Sequence, residues 1–229
     1  MSGHGHDHED DHQHHHEHAH GHSHDQGVKG MLRYLRHAPQ MWSSGVNTAV
    51  VERLSPTSGE TAMDIGAGIG AGTVVAAKRG CNVLAIEPTP YMRQTLGLRI
   101  RAMRMTDNVR IIDGTAEATT VAPSSVDAAW AVNTMHHWSN LGDGVAELAR
   151  VLAPGGRTLL VDEQFGDPAH PDYERFNKSF SEHEHQFHVV DPEVVGAAMA
   201  DAGLTVAFAS NDVIAGRPAV VVEATKPAD

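Results

Sequence analysis

Cysteine, long apolar runs and basic residues are all scarce in this sequence of 229 residues. Cys81 is the only cysteine, so no intrachain disulfide can form, as suits a reducing compartment. No apolar run approaches the roughly 18 residues that a bilayer span requires. The N-terminus also lacks a basic segment followed by an apolar one, the pattern of a secretory signal. We therefore expect a cytoplasmic protein with no membrane partner.

Acidic residues outnumber basic ones by 29 to 17, and the formal net charge is −12. The first 25 residues hold six acidic and no basic side chains, so the rest of the chain is acidic as well. Proteins that bind nucleic acids need a basic surface to neutralise phosphates. The charge therefore predicts that DNA and RNA are not partners.

Histidine is concentrated near the N-terminus, where residues 4–24 hold eleven of the eighteen histidines. Nothing in residues 1–27 can bury apolar surface, so we predict a disordered tail there and a folded domain over 28–229. Dense neutral imidazoles bind Zn, Ni or Co ions. A tail that only aids solubility, or binds metal adventitiously, remains an alternative. The candidate metal ligands are His14, His15, His16, His18 and His20.

Strand and helix patterns alternate along the domain. Residues 28–53 predict one or two helices, interrupted by Pro39. The alternation that follows predicts an α/β fold, a Rossmann-like doubly wound sheet of seven mostly parallel strands with helices on both faces. The predicted strands are Thr61–Ile65, Asn82–Ile86, Val109–Ile112, Val126–Val132, Arg157–Asp162, a run through Leu204, Val206 and Phe208, and Ala219–Glu223. The predicted helices are Ala71–Lys78, one opened by Thr89-Pro90, one from Leu141 to Leu152 that Pro154-Gly155-Gly156 stops, and one from Asp191-Pro192 to Gly203.

A glycine-rich loop follows the first strand, with four glycines between Gly66 and Gly72. Glycine allows tight turns and close approach of a ligand to the backbone. A strand, such a loop and then a helix direct free backbone N–H groups toward a ligand. Asp64 precedes the glycines, and a carboxylate there would repel a phosphate but attract a cationic amino group. The loop therefore favours a ligand with a positively charged amino-acid part.

Three further polar segments follow the next three strands. Glu87 comes directly after strand two, where a carboxylate can accept hydrogen bonds from both hydroxyls of a ribose. The segment Asp113–Glu117 follows strand three, and Asn133–Trp138 follows strand four. Ligands of such sheets bind at the carboxyl ends of the strands, so these segments are expected to meet at one site.

These residues together resemble class I S-adenosylmethionine-dependent methyltransferases, and the resemblance covers most of residues 43–225. It implies that S-adenosyl-L-methionine is the cofactor and that Asp64 meets its ammonium group, directly or through water. It also implies that Glu87 binds the ribose and Pro88 lies against the adenine. Thr115 stands where the family often has an aspartate, which leaves adenine recognition to backbone groups or Asp113. The remaining implied contacts are Gly66, Ala67, Gly68 and Gly70 along methionine and ribose, Asp113, Gly114, Thr115 and Ala116 at the adenine edge, and Asn133 and His136 beneath the sulfonium.

The methyl acceptor is expected to lie beside the ends of strands four and five. A base is needed only if the acceptor loses a proton, and His137, then His136 and Glu163, are the candidates. The insert 164–190, with its aromatic residues and His185 and His188, is a candidate lid or metal site, and the N-terminal helices with Tyr34 and Trp42 are a candidate cover. Asn133 is not followed by Pro-Pro-Tyr, and a single cysteine does not fit the arsenite methyltransferase pattern. By family analogy, the acceptor is expected to be a small organic molecule.

Two alternatives remain at the level of sequence. The first is a metal-handling protein that works through the histidine-rich tail. The second is an NAD(P)-dependent oxidoreductase, because Gly66-x-Gly68-x-x-Ala71 also fits a dinucleotide-binding pattern. The acceptor, the methylated atom, the use of a base and the oligomeric state stay open.

Overall fold

A seven-stranded sheet forms the centre of the computed structural model, which describes residues 45–175 and 190–228. The strand order is β3-β2-β1-β4-β5-β7-β6. The strands are β1 Thr61–Ile65, β2 Asn82–Ile86, β3 Val109–Ile112, β4 Val126–Val132, β5 Leu152–Glu163, β6 Thr205–Ile214 and β7 Arg217–Thr225. The helices are α1 Gly45–Leu54, α2 Ala71–Lys78, α3 Pro90–Ala102, α4 Leu141–Val151 and α5 Pro192–Asp201, with a 3-10 turn at Met135–His137.

Strand direction confirms the predicted mostly parallel sheet. The first five strands pair in parallel, and Asp64 on β1 lies between Ala85 on β2 and Trp130 on β4. β7 runs antiparallel to β5 and to β6. The carboxyl ends of the five parallel strands therefore share one edge of the sheet, and the chain order reverses between β1 and β4.

Helices cover both faces of the sheet, each over its own apolar core. On one face, Val50 of α1 and Val74 of α2 pack with Leu96 of α3 against the inner strands. On the other face, Leu148 of α4 and Met199 of α5 pack against the same strands. Each fully buried aliphatic side chain of this kind contributes roughly 1.5–3 kcal/mol to folding, which fixes the strand ends in place.

Local signals mark three of the helix ends. The Asn140 side chain accepts from the Asp143 N–H at the start of α4, and the Asp191 side chain accepts from the Glu193 N–H at the start of α5. Each bond satisfies one of the free N–H groups of a first turn. Gly203 follows α5 with a φ of +82°, the left-handed conformation that ends many helices.

The fifth strand differs from the prediction. β5 begins at Leu152, which was predicted to belong to the preceding helix, and the Pro154-Gly155-Gly156 turn lies inside the strand. Pairing with β4 jumps from Val126↔Leu152 to Ala128↔Arg157, so the turn is a bulge in a continuing strand. The backbone of Lys226 exchanges hydrogen bonds with this bulge and holds the strand together there.

The last two strands are longer than predicted and form a hairpin. The two-residue loop between them is Ala215-Gly216, and both residues have a positive φ, as a type I′ turn requires. The hairpin brings Arg217, the first residue of β7, beside the carboxyl end of β5.

Several expectations fall outside the described residues. They concern the tail 1–27, the helices before residue 45, and the part of the insert that holds His185 and His188. The domain start at residue 28 therefore stays a prediction. None of the helices in the described ranges has the length and apolar character needed to cross a membrane.

Candidate active site

A cavity of about 1110 Å³ opens at the edge where the parallel strands end. Loops after β1, β2, β3, β4 and β5 line it, together with the start of α1. The topology thus brings together the segments that the sequence placed at one site. Predicted residues that line the cavity are Gly66, Ala67, Gly68, Glu87, Pro88, Gly114, Thr115, Ala116, Asn133, His136, His137 and Glu163.

The glycine-rich loop is held tightly against its neighbours. Gly66 has a φ of +70°, and a Cβ there would come within 2.3 Å of the Thr134 side chain. The N–H groups of Gly66 and Ala67 both donate to the Ile86 carbonyl oxygen at 2.9 Å. Only glycine combines this conformation with so little space, so the bare backbone itself forms this part of the cavity wall.

Glu87 connects this loop to the start of α3. Its side chain accepts from the N–H of Gly68 and from the N–H of Thr89, each at 2.8 Å, and the residue is only 4% exposed. One hydrogen bond to each carboxylate oxygen leaves each with a further lone pair for a ligand hydroxyl. Glu87 also lines the cavity, so it can serve the loop and a ligand together.

Asp64 lies behind the loop and does not line the cavity. Its Oδ2 accepts from the Thr73 hydroxyl at 2.6 Å, and burial raises the pKa of this carboxyl to about 6. The Trp130 indole N–H lies near the same carboxylate and opposes that rise, but it falls short of hydrogen-bond geometry. Contact between Asp64 and a ligand ammonium group, directly or through a water molecule, therefore stays a prediction.

Gly70 and Asp113 also lie away from the cavity lining. Gly70 has a φ of +83°, and a Cβ there would meet Leu96 at 2.3 Å, so this glycine serves the packing of α3 against the loop. The Asp113 side chain is 72% exposed and pairs with Arg93 at 2.7 Å. Arg93 also donates to the Glu87 carbonyl oxygen. Asp113 therefore supports the cavity wall only indirectly, by binding the Arg93 side chain that holds the Glu87 backbone.

Asp162, near the end of β5, organises the turn after β4, and sequence reasoning gave it no role. Its two oxygens accept from the N–H groups of Thr134, Met135 and His136, at 2.9, 3.3 and 3.1 Å. The same carboxylate contacts His136 Nδ1 at 2.8 Å. Asp162 is thus a side-chain cap that holds both the backbone and one imidazole of this turn.

The two histidines of the turn occupy different environments. The His136 side chain is only 12% exposed and is fixed by Asp162, whereas His137 is exposed at the rim. Their rings lie 4.0 Å apart, centroid to centroid. Of the predicted pair, His136 is therefore the more constrained side chain, although His137 was expected to be the first candidate base.

Glu163 belongs to a network of hydrogen bonds. Its Oε1 accepts from the Asn133 amide at 2.7 Å, and its Oε2 accepts from His170 and Arg217, both at 3.0 Å. Arg217 also pairs with Asp172, and it holds the pKa of that carboxyl below its usual value. With three donors already bound, Glu163 fits a role in shaping the wall better than the role of a base.

His170 and Arg217 escaped sequence reasoning for different reasons. His170 lies in the insert 164–190, where the aromatic residues and the later histidines stood out more. Arg217 reaches the site only because β7 pairs antiparallel with β5, and no local pattern near residue 217 indicates that pairing. Asn47 also lines the cavity without a sequence signal, whereas Phe165, which lines it too, is one of the aromatic residues expected in the insert.

Metal ligands do not cluster in the described part of the chain. Over 45–175 and 190–228, no group of three or more His, Cys, Asp or Glu side chains is arranged to hold a metal ion. The predicted ligands His14, His15, His16, His18 and His20 lie outside these ranges.

Comparison with known proteins finds a family match over part of the chain. Residues 63–160 match the family described as "Methyltransferase domain". This stretch begins in β1 and ends in β5, so it contains the glycine loop, Glu87 and the Asn133–Trp138 segment. Over this stretch the chain is similar to methyltransferase domains.

Relatives of the methyltransferase domain match about half of the chain. An uncharacterized methyltransferase of Mycobacterium tuberculosis is 34% identical over 120 residues, which is 51% of this chain and 46% of that protein. A demethylmenaquinone methyltransferase of Tropheryma whipplei is 33% identical over 116 residues, which is 50% of this chain and 46% of that protein. The chain thus spans less than half the length of these relatives.

Solved structures show the same fold as the methyltransferase domain. Geranyl diphosphate C-methyltransferase of Streptomyces coelicolor, in complex with Mg²⁺, geranyl diphosphate and S-adenosyl-L-homocysteine, superposes with a TM-score of 0.62 at 20% identity. The superposition covers 79% of this chain and 76% of that one.

Proposed function

We propose that this protein binds S-adenosyl-L-methionine and transfers its methyl group to a small organic acceptor. The single observation that carries this proposal is Glu87, a buried carboxylate that ties the glycine loop to α3 and still lines the cavity. A carboxylate at this place suits a ribose with two hydroxyl groups. The family match supports this proposal, and a solved methyltransferase of the same fold was determined in complex with this donor.

The charge of the cavity supports a cationic ligand. Four carboxylates line it, Glu87, Glu117, Glu163 and Asp172, against two guanidinium groups, Arg175 and Arg217. An acidic wall attracts a ligand that carries a sulfonium and an ammonium group. A dinucleotide carries two phosphates instead, and the same wall would repel them, so the oxidoreductase alternative loses support.

The volume of the cavity supports a small acceptor. Its volume of about 1110 Å³ slightly exceeds the roughly 300–1,000 Å³ of most small-molecule sites, which leaves room for a donor and an acceptor together. The names of two relatives agree with a small organic substrate, since one acts on demethylmenaquinone and the other on geranyl diphosphate. The acceptor of this protein and the methylated atom remain to be found by experiment.

In this proposal, residues at one end of the cavity bind the methyl donor and residues at the other end bind the acceptor. S-adenosylmethionine, when bound, supplies a methyl group on a positively charged sulfur. Glu87 and the backbone of Gly66–Gly68 would hold the nucleoside, and Asp64 would neutralise the ammonium from behind the loop. The turn at Met135–His137 and the Glu163 network would position the acceptor and exclude water, which is the main contribution a protein makes to an in-line displacement.

Isothermal calorimetry on the full chain tests the donor. We expect S-adenosylmethionine and S-adenosylhomocysteine to bind with one site each, and NAD and NADP not to bind. Incubation with tritium-methyl S-adenosylmethionine and a small-molecule cell extract then tests transfer. Binding of NAD without binding of S-adenosylmethionine would contradict the proposal.

A further inference from the structure

The two guanidinium groups that line the cavity lie at its end beside β5. Arg217, the first residue of β7, contacts the side chain of Glu163, the last residue of β5, at 3.0 Å. Arg175 lies close enough to Asp172 to help lower the pKa of that carboxyl, and Asp172 in turn pairs with Arg217. Glu87 and the glycine loop follow β2 and β1 instead. The positive charge of the cavity is therefore at the end away from the proposed donor site.

The strand order separates this end from the glycine loop. Nη1 of Arg217 lies at the carboxyl end of β5, whereas the glycine loop follows β1, and β4 runs between these two strands. Neighbouring strands are about 4.8 Å apart, so two strand spacings amount to roughly 10 Å. A ligand group that binds Arg217 is therefore expected to belong to the acceptor and not to the donor.

Arg217 uses one nitrogen for all the hydrogen bonds that it makes within 45–175 and 190–228. Its Nη1 donates to Glu163 at 3.0 Å and to Asp172 at 2.8 Å. A guanidinium group has five N–H donors in a planar fork, and Nε and Nη2 share one edge of that fork. The side chain lines the cavity and is 31% exposed, so this edge is available to a ligand.

The buried His170 side chain helps to hold Arg217 in place. Its Nδ1 accepts from the Asp172 N–H at 3.0 Å, so a neutral ring carries its proton on Nε2, which then donates to Glu163. The other Glu163 oxygen accepts from the Asn133 amide at 2.7 Å. Both residues that bind Nη1 are thus fixed by other groups. The guanidinium is oriented before a ligand binds, which reduces the entropic cost of binding.

We propose that Arg217 determines acceptor specificity by binding a carboxylate of the acceptor through Nε and Nη2. This inference rests on the proposed function and adds the acceptor class to it. The two oxygens of a carboxylate match this edge, and such paired hydrogen bonds are both strong and directional. Two carboxylates, Glu163 and Asp172, already balance the two guanidinium groups, which favours a monoanion over a phosphate dianion. The methyl group goes to another atom, so the product keeps this carboxylate.

A titration with benzoate tests this edge of Arg217 without the acceptor. We would record proton–nitrogen correlation spectra of the arginine Nε–H groups in the full ¹⁵N-labelled chain and assign Arg217 by the signal lost in Arg217→Lys. Benzoate should shift that signal saturably, whereas its uncharged counterpart benzamide, and sodium chloride at equal ionic strength, should not. The absence of a saturable shift with benzoate would overturn the proposal. Tighter binding of inorganic phosphate than of benzoate would overturn the choice of a carboxylate.

Transfer of the tritium label to a small-molecule cell extract tests the acceptor class. We expect the labelled product to bind an anion exchanger at about pH 7 and to pass through it at about pH 2, where a carboxyl group is protonated. A labelled product without a carboxylate would overturn the proposal.

Kinetics with the labelled acceptor, once purified, separate recognition from stability. Arg217→Lys keeps a positive charge beside Glu163 and Asp172 but loses the paired donors. It should raise KM for the acceptor at least tenfold, with kcat and S-adenosylhomocysteine affinity within about twofold of the wild type. Arg101→Lys, at an exposed position on α3, is the matched control and should leave KM unchanged.

A purely structural role of Arg217 would give a different result. Arg217→Lys would then lower the melting temperature and kcat without a selective rise in KM, and this outcome would overturn the proposal. Failure of the proposed function is distinguishable, because the wild type would then bind no S-adenosylmethionine. The benzoate titration needs no donor, so it would still test the anion site in that case.

Discussion

Replacing Glu87 by glutamine tests the proposed donor site most directly, because this side chain both stabilises the fold and is expected to bind the ligand. The carboxylate accepts two backbone hydrogen bonds at 2.8 Å in a buried position. Glutamine keeps one accepting oxygen and turns an N–H₂ group toward the other N–H. One buried N–H is then unpaired, which costs about 1–3 kcal/mol of unfolding free energy.

The effect on binding is separate and follows from the charge. Hydrogen bonds to a charged group are worth about 1.5–3 kcal/mol each, so the loss of one to a ribose hydroxyl should weaken affinity roughly 10- to 150-fold. The loss of stability should lower the melting temperature by about 2–12 °C for a domain of this size. Binding must therefore be measured well below the unfolding transition of the variant.

Calorimetry with S-adenosylhomocysteine and with its 2′-deoxy analogue separates the two effects. In the wild type, removal of the 2′-hydroxyl should weaken binding, and in Glu87→Gln the same removal should cost much less. Glu52→Gln, an exposed glutamate on α1, is the matched control and should bind both ligands like the wild type. Affinity of Glu87→Gln for S-adenosylhomocysteine within twofold of the wild type would refute the reasoning.

Three further outcomes follow from the structure. Gly66→Ala should reduce S-adenosylhomocysteine affinity at least tenfold by calorimetry, because the new Cβ meets Thr134 in a left-handed backbone conformation; Gly59→Ala, also at positive φ but in open space, should keep the affinity. Because the pKa of Asp64 is raised to about 6 in the folded state, protonation of this carboxyl stabilises the fold. This stabilisation is complete below about pH 4 and is lost as the pH rises through 6. Chemical denaturation should therefore show that the unfolding free energy of Asp64→Asn, relative to that of the wild type, rises by on the order of 3 kcal/mol from pH 4 to pH 7. An unchanged difference between the two proteins would contradict the raised pKa. Deletion of residues 1–27 should abolish Zn, Ni and Co binding measured by calorimetry and leave methyl transfer intact, and loss of transfer would show that the tail contributes to the site.

Sequence patterns were sufficient to predict the first four strands. The bounds of β1, β2, β3 and β4 agree with the prediction, because each is a short apolar run followed at once by a glycine or a polar residue. In a parallel sheet these ends meet at one edge. The position of Glu87 beside the glycine loop could therefore be predicted without knowledge of any long-range contact.

The acceptor half depends on contacts that no local pattern encodes. The sequence of the Pro154–Gly156 turn predicts the end of a helix followed by a loop. In the structure, pairing with β4 and hydrogen bonds with Lys226 make this turn a bulge within β5. Arg217 becomes a neighbour of Glu163 only through the β6–β7 hairpin. Propensity and spacing describe single segments, whereas these positions result from tertiary pairing.

The ranking of the catalytic candidates was limited for the same reason. His136 and His137 are adjacent in sequence, and only the fold shows that one is bound to Asp162 while the other is exposed. Asp162 was predicted only as the end of a strand, and its role depends on the turn after β4 lying beside that end. A buried aspartate at the end of a central strand is a signal that could have indicated a cap for the neighbouring loop.

The two ends of the cavity therefore differ in how they are built, and this difference explains what can be inferred about each. The end beside the glycine loop consists of loop backbone and one carboxylate, Glu87, and both could be recognised in the sequence. The end beside β5 is built from side chains that contact one another, namely Asp162 with His136, and Glu163 with Arg217. A fold does not determine which substrate is used, so the methyl acceptor has to be argued from these contacts of the chain itself.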